Sequence, residues 1–220
     1  MSNIQYGLIS RVDSDTIEKT FDLVFEQFQN DVINYTEVGL YNGRTTSGVK
    51  EYLLSKGKRY KLTGIDNFKD KEELVFFPHD ANLIQGSSIE VYNQLEDESQ
   101  HFILIDGNHS FPYVIADFFC YISKIKIGGY ICFHDTSPQT QGKSWQRMGD
   151  EADSDMYISV MKALVKIGLF DEIGYRIYSD GSVSQRKAIG HYGVELIFNR
   201  YDINDEGGGV CIFKKVNKCH

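Results

Sequence analysis

The sequence has few of the residues that mark linkers, secretion signals or membrane spans. Its 220 residues include three prolines, which argues against long linkers and low-complexity tracts. No apolar run approaches the ~20 residues that a membrane-spanning helix needs. The first ten residues lack a basic segment followed by an apolar one, so we expect no signal peptide. We therefore expect a single domain over residues 1–220, which is long enough to bury a sizeable core.

Cysteine is scarce, and its spacing indicates neither a metal site nor a disulfide framework. The four cysteines, Cys120, Cys132, Cys211 and Cys219, include no CxxC pair. Cys120 and Cys132 sit inside apolar patterns, as small buried hydrophobic residues do. Reduced thiols of this kind are typical of a cytoplasmic protein, and we expect that location.

Positive charge is also in short supply. The formal net charge is −8, and the longest basic fragment is Lys56–Arg59. Nonspecific nucleic-acid binding requires a basic surface that neutralises phosphates, so we expect no nucleic-acid partner. Because no long apolar run is present, we expect no membrane partner either. An acidic balance is compatible with a site that holds a cation.

The apolar pattern alternates between strands and helices along most of the chain. The predicted strands are Tyr35–Leu40, Tyr60–Ile65, Ala81–Gln85, His101–Ile105, Tyr130–Phe133, Phe170–Tyr178, Val194–Phe198 and Val210–Lys214. The predicted helices are Asp13–Gln29, with Ser14 or Asp15 as its cap, Thr45–Ser55, Ser88–Leu95, Tyr113–Ile125, which Gly128 and Gly129 would end, and Tyr157–Ile167. This alternation predicts an α/β fold, a doubly wound and mostly parallel sheet with helices on both faces.

Three further segments differ from this alternation. Residues 1–30 form an N-terminal helical segment, and Ser137–Asp153 form a long polar loop. Long loops in compact domains tend to be lids or substrate-binding loops, and we predict that role here. The last two predicted strands are joined by a polar, glycine-rich turn and predict an antiparallel hairpin.

Polar residues and glycines follow every predicted strand of the alternating part. Because ligands bind at the carboxyl ends of the strands in an open parallel sheet, these residues are candidates for a site. They are Glu37, Gly39, Tyr41, Gly43 and Thr45 at the first strand, Asp66 at the second, Gly86, Ser87 and Ser88 at the third, Asp106, Gly107, Asn108 and His109 at the fourth, and His134, Asp135 and Thr136 at the fifth. An acidic residue such as Asp66 can accept two hydrogen bonds from ribose hydroxyls.

The glycine spacing excludes two common nucleotide motifs. The chain has neither GxxxxGK[ST] nor GxGxxG, since its glycines are spaced Gly39-x-x-x-Gly43. A lone pair of this kind is equally compatible with a tight turn. His109 has a similar alternative, because an imidazole at a strand end is either a base or ligand, or a turn residue hydrogen-bonded to Asp135.

Taken together, these stretches resemble class I S-adenosylmethionine-dependent methyltransferases. TEVGLYNGRTT is similar to the first motif of that superfamily, and IDNF to the second. The stretch IDGNHSFPYVIADFFCYISKIKIGGYICFHDT resembles the pattern IDGxHxYxxVxxDxxxxxxxLxxGGxxxxHDT of the branch with small O-methyltransferases and macrocin-type sugar methyltransferases. The resemblance covers roughly residues 30–136, and it implies a Rossmann-like, seven-stranded sheet that ends in an antiparallel strand.

The resemblance implies a role for each matching position. Glu37, Gly39 and Gly43 would hold the methionine end of the cofactor, Asp66 its ribose, and Ser87 and Ser88 would flank the adenine. The full set of implied cofactor residues is Glu37, Gly39, Tyr41, Gly43, Thr45, Asp66, Ser87, Ser88 and Asp106.

The resemblance also implies a divalent cation and a general base. Asp106 and Asp135 match cation-binding positions of metal-dependent members, and His109 matches a histidine proposed there as the base. Asp106 is thus a catalytic candidate as well. His134 replaces the first of two adjacent acids that several metal-dependent members carry, which weakens the inference of a metal. Two alternatives stay open for the ion: Mg²⁺, for which the two carboxylates are sufficient because it keeps several waters, and a softer ion such as Mn²⁺, which His134 favours.

We therefore expect methyl transfer from S-adenosylmethionine to a hydroxyl oxygen of a small molecule, in a chain that forms a homodimer. Two alternatives stay open. One is a nicotinamide-dependent oxidoreductase on a related fold, and the other is a noncatalytic Rossmann-like binding module. The acceptor is not indicated by any motif.

Overall fold

The computed structural model describes residues 10–68, 74–137, 159–169, 191–200 and 208–217. They form one sheet flanked by helices. The helices are α1 (Arg11–Gln27), α2 (Arg44–Ser55), α3 (Ser88–Val91), α4 (Phe111–Tyr121) and α5 (Val160–Lys166), with short 3₁₀ turns at Tyr92–Gln94 and His191–Gly193. The strands are β1 (Ile33–Val38), β2 (Tyr60–Asp66), β3 (Asn82–Gln85), β4 (Gln100–Ile105), β5 (Ile125–His134), β6 (Val194–Arg200) and β7 (Val210–Lys215).

The sheet has seven strands in the order β3-β2-β1-β4-β5-β7-β6. Strands β1 to β5 run parallel, and parallel neighbours require crossover connections. Strand β7 is antiparallel to both β5 and β6. The predicted doubly wound, mostly parallel sheet with a C-terminal antiparallel hairpin is confirmed.

Strand β4 shows why the sheet is buried on both faces. All six of its residues are buried, and its side chains alternate between two hydrophobic clusters. Ile103 and Ile105 pack on one face with Phe118 of α4, whereas Phe102 and Leu104 pack on the other with residues of α1. A strand with this environment is apolar at every position, which is the pattern that the sequence shows.

Helix α1 is fixed to its face of the sheet by aromatic packing. Phe21 is fully buried, and its ring centroid lies 5.0 Å from that of Phe102 in an edge-on arrangement. The predicted cap was wrong: Ser10, not Ser14 or Asp15, accepts a hydrogen bond from the backbone N–H of Asp13. The helix therefore starts earlier than predicted, and Asp13 lies in its first turn with a fully buried side chain.

The prediction for α4 was wrong at its end. The helix stops at Tyr121, and Gly128 and Gly129 lie inside β5 rather than after the helix. Along β5 the pairing with β4 shifts register, since Gln100 pairs with Ile125 but Phe102 pairs with Tyr130. The extra residues form an irregularity in the strand, and glycines are common where a strand bulges.

Several predictions fall on residues that the structure does not describe. The strand at Phe170–Tyr178 lies wholly outside the described residues, and so does the loop Ser137–Asp153 except for Ser137. Helix α5 begins at Val160, inside the predicted Tyr157–Ile167. Within the described ranges, no helix is long and apolar enough to cross a membrane.

Candidate active site

The loops that follow β1 and β4 touch at the carboxyl edge of the sheet. The backbone N–H of Asp106 donates to the carbonyl oxygen of Val38 over 2.8 Å. Gly39 has a φ of +86°, and a Cβ built on it would overlap the backbone of Asp106 and Gly107. Glycine is required at this position because two backbones approach closely there. Gly39 thus joins the predicted cofactor loop to the loop that carries Asp106.

Asp66 ends β2 and holds this glycine loop in place. Its Oδ2 accepts a hydrogen bond from the backbone N–H of Leu40, and its Oδ1 accepts one from Phe68, both over 2.7 Å. A carboxylate offers about four acceptor positions, so acceptor capacity is left for ribose hydroxyls. The structure places Asp66 beside the glycine loop, at the end of β2.

Glu37 lies deeper than its predicted role suggests. It is 1% exposed, and it accepts hydrogen bonds from the hydroxyls of Thr46 over 2.6 Å and Tyr35 over 3.3 Å. Burial raises the pKa of Glu37 to about 8 despite the hydrogen bond from Thr46. Glu37 therefore ties the start of α2 to β1, beneath the loop.

The remaining residues of this loop differ in exposure. Tyr41 is 40% exposed with a φ of +51°, whereas Thr45 is buried in the first turn of α2. Gly43 packs against Phe77, which a Cβ at this position would overlap. The guanidinium of Arg44 lies 3.9 Å from the ring centroid of Phe76. The segment around Phe76 and Phe77 thus packs against the glycine loop.

Ser87 and Ser88 lie at the start of α3, and Ser88 is engaged by α4. Its hydroxyl donates to Asp117 Oδ1 over 2.6 Å, and the hydroxyl of Tyr121 donates to its carbonyl oxygen over 2.9 Å. Asp117 is fully buried, and burial raises its pKa to about 7 although the hydrogen bond from Ser88 opposes this shift. Sequence reasoning left Asp117 unassigned, because its partner is distant in the sequence.

The ends of β4 and β5 bring together the four residues predicted for catalysis and metal binding. Asp106, His109, His134 and Asp135 each offer one ligand atom, and these atoms lie within 4.8 Å of one another. Nδ1 of His134 and Nε2 of His109 lie 2.8 and 3.2 Å from Asp106 Oδ1. Nδ1 of His109 lies 3.7 Å from Asp135 Oδ2. His109 thus sits between the two carboxylates. This position is compatible with both alternatives from the sequence, a base or ligand and a turn residue beside Asp135.

Opposite charges dominate the electrostatics of this cluster. Burial alone would lower the pKa of His134, but the carboxylates of Asp106 and Asp135 raise it well above its usual value. Burial would likewise raise the pKa of Asp106, but His134 and His109 hold it well below the usual range. Without a bound ion the cluster therefore favours an imidazolium beside a carboxylate.

Asp13 is the site residue that sequence reasoning missed. It is fully buried at the start of α1, and its Oδ2 lies 3.5 Å from Nε2 of His134. The same oxygen accepts a hydrogen bond from the backbone N–H of Gly209 over 3.1 Å. Among the described residues, Asp13 Oδ1 and His134 Nε2 have no hydrogen-bond partner. No local signal marks Asp13, since an acid in a first helical turn is common without any site.

The residues before β7 close the other side of the cluster. The backbone N–H of Gly208 donates to Asp135 Oδ1 over 3.1 Å, and Ser137 N–H donates to the carbonyl oxygen of Gly208 over 2.9 Å. Asp135 has a φ of +55°, a backbone conformation that non-glycine residues seldom adopt. These contacts hold the Asp135 carboxylate next to His134.

The donor set fits a divalent cation. Two carboxylates and two imidazoles converge, and such mixed oxygen and nitrogen donors suit ions such as Mn²⁺ better than Mg²⁺, which prefers oxygen. Within the described residues, the buried atoms Asp13 Oδ1 and His134 Nε2 lack hydrogen-bond partners, so the cluster is not closed by the hydrogen bonds described there.

Comparisons with known proteins agree with the fold and with the matched motifs. Residues 36–136 match a family model described as a methyltransferase domain, a little under half of the chain. A cofactor-bound protein from MTB is similar in structure, with a TM-score of 0.59 at 10% identity over 98% of this chain and 85% of its own. An O-methyltransferase from Bacillus cereus in complex with SAH has a TM-score of 0.56 at 13% identity over 97% and 85%. No curated protein matches the chain.

The structural similarity and the family match support different conclusions about the chain. At these identities the structural relatives show the fold alone, and that fold extends over nearly the whole chain. The family match covers the segment from β1 to the end of β5, which carries the glycine loop, Asp66 and the cluster at Asp106. The resemblance to class I S-adenosylmethionine-dependent methyltransferases is confirmed over residues 36–136, which match the methyltransferase-domain model.

Proposed function

We propose that this protein transfers the methyl group of S-adenosylmethionine to a hydroxyl oxygen of a small molecule. One observation carries the proposal: the segment that matches the methyltransferase domain holds Asp66 and the Asp106 cluster at the same edge of the sheet. Gly39 joins these two parts through its contact with the Asp106 loop. A cofactor held by one part would therefore present its methyl group to the other.

The reaction needs positioning and the removal of one proton. The acceptor oxygen forms a bond to the methyl carbon while the carbon–sulfur bond breaks, and its electron pair stays on sulfur to give S-adenosylhomocysteine. The sulfonium methyl is already activated, so alignment contributes much of the rate. His109, whose side chain is 10% exposed, would take the hydroxyl proton as a general base.

We propose that Asp106 and Asp135 hold a divalent cation, with His134 as a further ligand. Such a cation would lower the pKa of the acceptor hydroxyl and fix its angle to the methyl group. The mixed donor set supports this assignment and favours Mn²⁺ over Mg²⁺.

Calorimetry with S-adenosylhomocysteine tests the cofactor assignment. We expect binding without added metal, and Asp66→Ala should weaken it about 100-fold because charge-assisted hydrogen bonds to the ribose are lost. Asp80→Ala is the matched control, since Asp80 pairs with Lys50 at the surface. Undetectable binding at millimolar ligand would overturn the proposed function, as would a heat-stability screen in which NADH alone stabilises the protein.

Chelation tests the cation separately. Rates of S-adenosylhomocysteine formation should be measured against a panel of phenols, sugars and small polar alcohols. We expect chelation to abolish turnover, Mn²⁺ to restore it, and Asp135→Asn to remove this metal dependence together with most of the activity. Turnover that survives both changes would eliminate the cation from the proposal.

A further inference from the structure

We propose that Asp13 is a positioning residue that orients His134 as a metal ligand. Asp13 would accept the hydrogen on Nε2 of His134 and leave Nδ1 to face the ion. This inference rests on the cation in the proposed function. It adds a residue from the N-terminal helix, outside the segment that matches the methyltransferase domain.

The two nitrogens of His134 face opposite directions. Nδ1 lies 2.8 Å from Asp106 Oδ1 and 3.6 Å from Asp135 Oδ1, so it faces the predicted ligands. Nε2 faces Asp13 Oδ2 at 3.5 Å, slightly too long for a hydrogen bond. A histidine that coordinates through Nδ1 uses its lone pair there, and its proton must then be on Nε2. Asp13 is the acceptor placed to receive that proton.

The burial of Asp13 supports a role beyond that of an acid in a first helical turn. A fully buried carboxylate is costly unless its charge is compensated. Asp13 accepts one hydrogen bond from Gly209, and its Oδ1 has no partner among the described residues. Metal-bound histidines usually donate their second N–H to a carboxylate, which fixes the ring and the tautomer. Asp13 matches that arrangement.

Gly208 keeps Asp13 and His134 together. A Cβ on Gly208 would lie 2.5 Å from Asp13 Oδ2 and 3.7 Å from Nε2 of His134, and its φ is +83°. The chain thus brings a left-handed glycine from just before β7 against the contact between α1 and β5. Three distant stretches of sequence converge on one pair of side chains.

The inference also explains the histidine that replaces an acid. A second carboxylate at position 134 would face Asp13 with like charge in a buried place. An imidazole there instead presents Nδ1 toward Asp106 and the proposed ion, and Nε2 toward Asp13. Asp13 and His134 are therefore expected to depend on each other.

A double-mutant cycle on Mn²⁺ affinity tests this dependence. Free Mn²⁺ is followed by electron paramagnetic resonance in the wild type, Asp13→Asn, His134→Asp and the double variant. We expect Asp13→Asn to weaken Mn²⁺ binding about 10- to 100-fold. In the His134→Asp background the same change should not weaken binding, because it removes a repelling charge. Asp15→Asn, an exposed position on the same helix, should bind Mn²⁺ as the wild type does.

Three results would overturn the inference. One is Asp13→Asn binding Mn²⁺ within threefold of the wild type. Another is equal weakening in both backgrounds, which indicates a merely structural role for Asp13. The third is a wild type that binds no Mn²⁺ at millimolar concentration. Calorimetry with S-adenosylhomocysteine on the same proteins tests the proposed methyl transfer separately. A wild type that does not bind S-adenosylhomocysteine would overturn the proposed function rather than the role of Asp13.

Nitrogen NMR of the histidine rings gives a second measurement that needs no charged substitution at position 134. In the Zn²⁺-loaded wild type, His134 should carry its proton on Nε2 and show a metal-bound Nδ1. A proton on Nδ1 would contradict the proposed orientation. Asp13→Asn should leave the melting temperature within a few degrees of the wild type while it shifts the Nε2 signal.

Discussion

The two halves of the candidate site satisfy their polar groups in different ways. At the ends of β1 and β2, Asp66 and Glu37 are hydrogen-bonded by the protein's own backbone and hydroxyl groups. At the ends of β4 and β5, the carboxylates and imidazoles face one another, and two buried polar atoms of Asp13 and His134 lack partners among the described residues. The first half, which we call the scaffold half, has polar groups that the protein itself hydrogen-bonds. The second half concentrates charge that its own hydrogen bonds do not balance.

This difference indicates that the two halves have different roles. A preorganised loop binds a ligand through its remaining acceptors without rearrangement, which suits a cofactor that must be held in one pose. A buried cluster of opposite charges stabilises an ion or a developing charge, which suits the reacting end. Substitutions in the two halves should therefore change different measured quantities.

The largest expected effect is on turnover, from His109→Gln. Loss of a general base typically lowers the rate by about 10² to 10⁴, while the glycine loop and Asp66 are unchanged. We expect S-adenosylhomocysteine affinity to stay within threefold of the wild type, as measured by calorimetry beside the rate. His79→Gln, at an exposed position, is the control and should change neither quantity. A rate within tenfold of the wild type would show that His109 is not the base.

A smaller effect, on both halves together, is expected from Gly39→Ala. The added Cβ meets the backbone of Asp106 and Gly107, and a positive φ costs a further ~1–2 kcal/mol for an alanine. Urea unfolding should show a loss of more than about 2 kcal/mol, with weaker binding of both S-adenosylhomocysteine and Mn²⁺.

Gly57→Ala separates these two causes. Gly57 has a φ of +64°, but nothing lies within 4 Å of a Cβ placed there, so only the conformational cost applies. It should cost less than Gly39→Ala and leave both ligand affinities unchanged. Equal destabilisation by the two alanines would contradict a close contact between the two loops.

The sequence was sufficient to predict the sheet and the cluster at Asp106. Strands such as Gln100–Ile105 are apolar throughout because both faces are buried, and the polar residue after each strand necessarily lies at the same sheet edge. That rule places Asp106, His109, His134 and Asp135 at one edge without any knowledge of side-chain contacts, and the family resemblance singles them out for metal binding and catalysis.

Contacts between distant segments could not be predicted in this way. Asp13 meets Gly209 across nearly the whole chain, and its position depends on how α1 packs against the sheet. Glu37 and Ser88 were predicted as cofactor residues, but their hydrogen bonds to Thr46 and Asp117 depend on helix packing that periodicity does not specify. The glycines at 128 and 129 predict a helix end rather than a strand irregularity, because the two look the same in sequence.

The effect expected to change the fewest measured quantities is a pH dependence of stability that belongs to the scaffold half alone. Burial raises the pKa of Glu37 from 4.5 to about 8, so between these values the folded protein holds a proton that the unfolded chain has lost. This contribution to stability is complete below pH 4.5 and falls as the pH rises through 8, by at most about 1.4 kcal/mol per pH unit. Glu37→Gln cannot ionise, so its stability relative to the wild type should rise between pH 5 and 8. Urea unfolding at pH 5, 6.5 and 8 measures this, with the exposed Glu51→Gln as the control. Parallel pH curves for the wild type and Glu37→Gln would mean that Glu37 stays ionised, and that the scaffold half carries buried charge as the other half does.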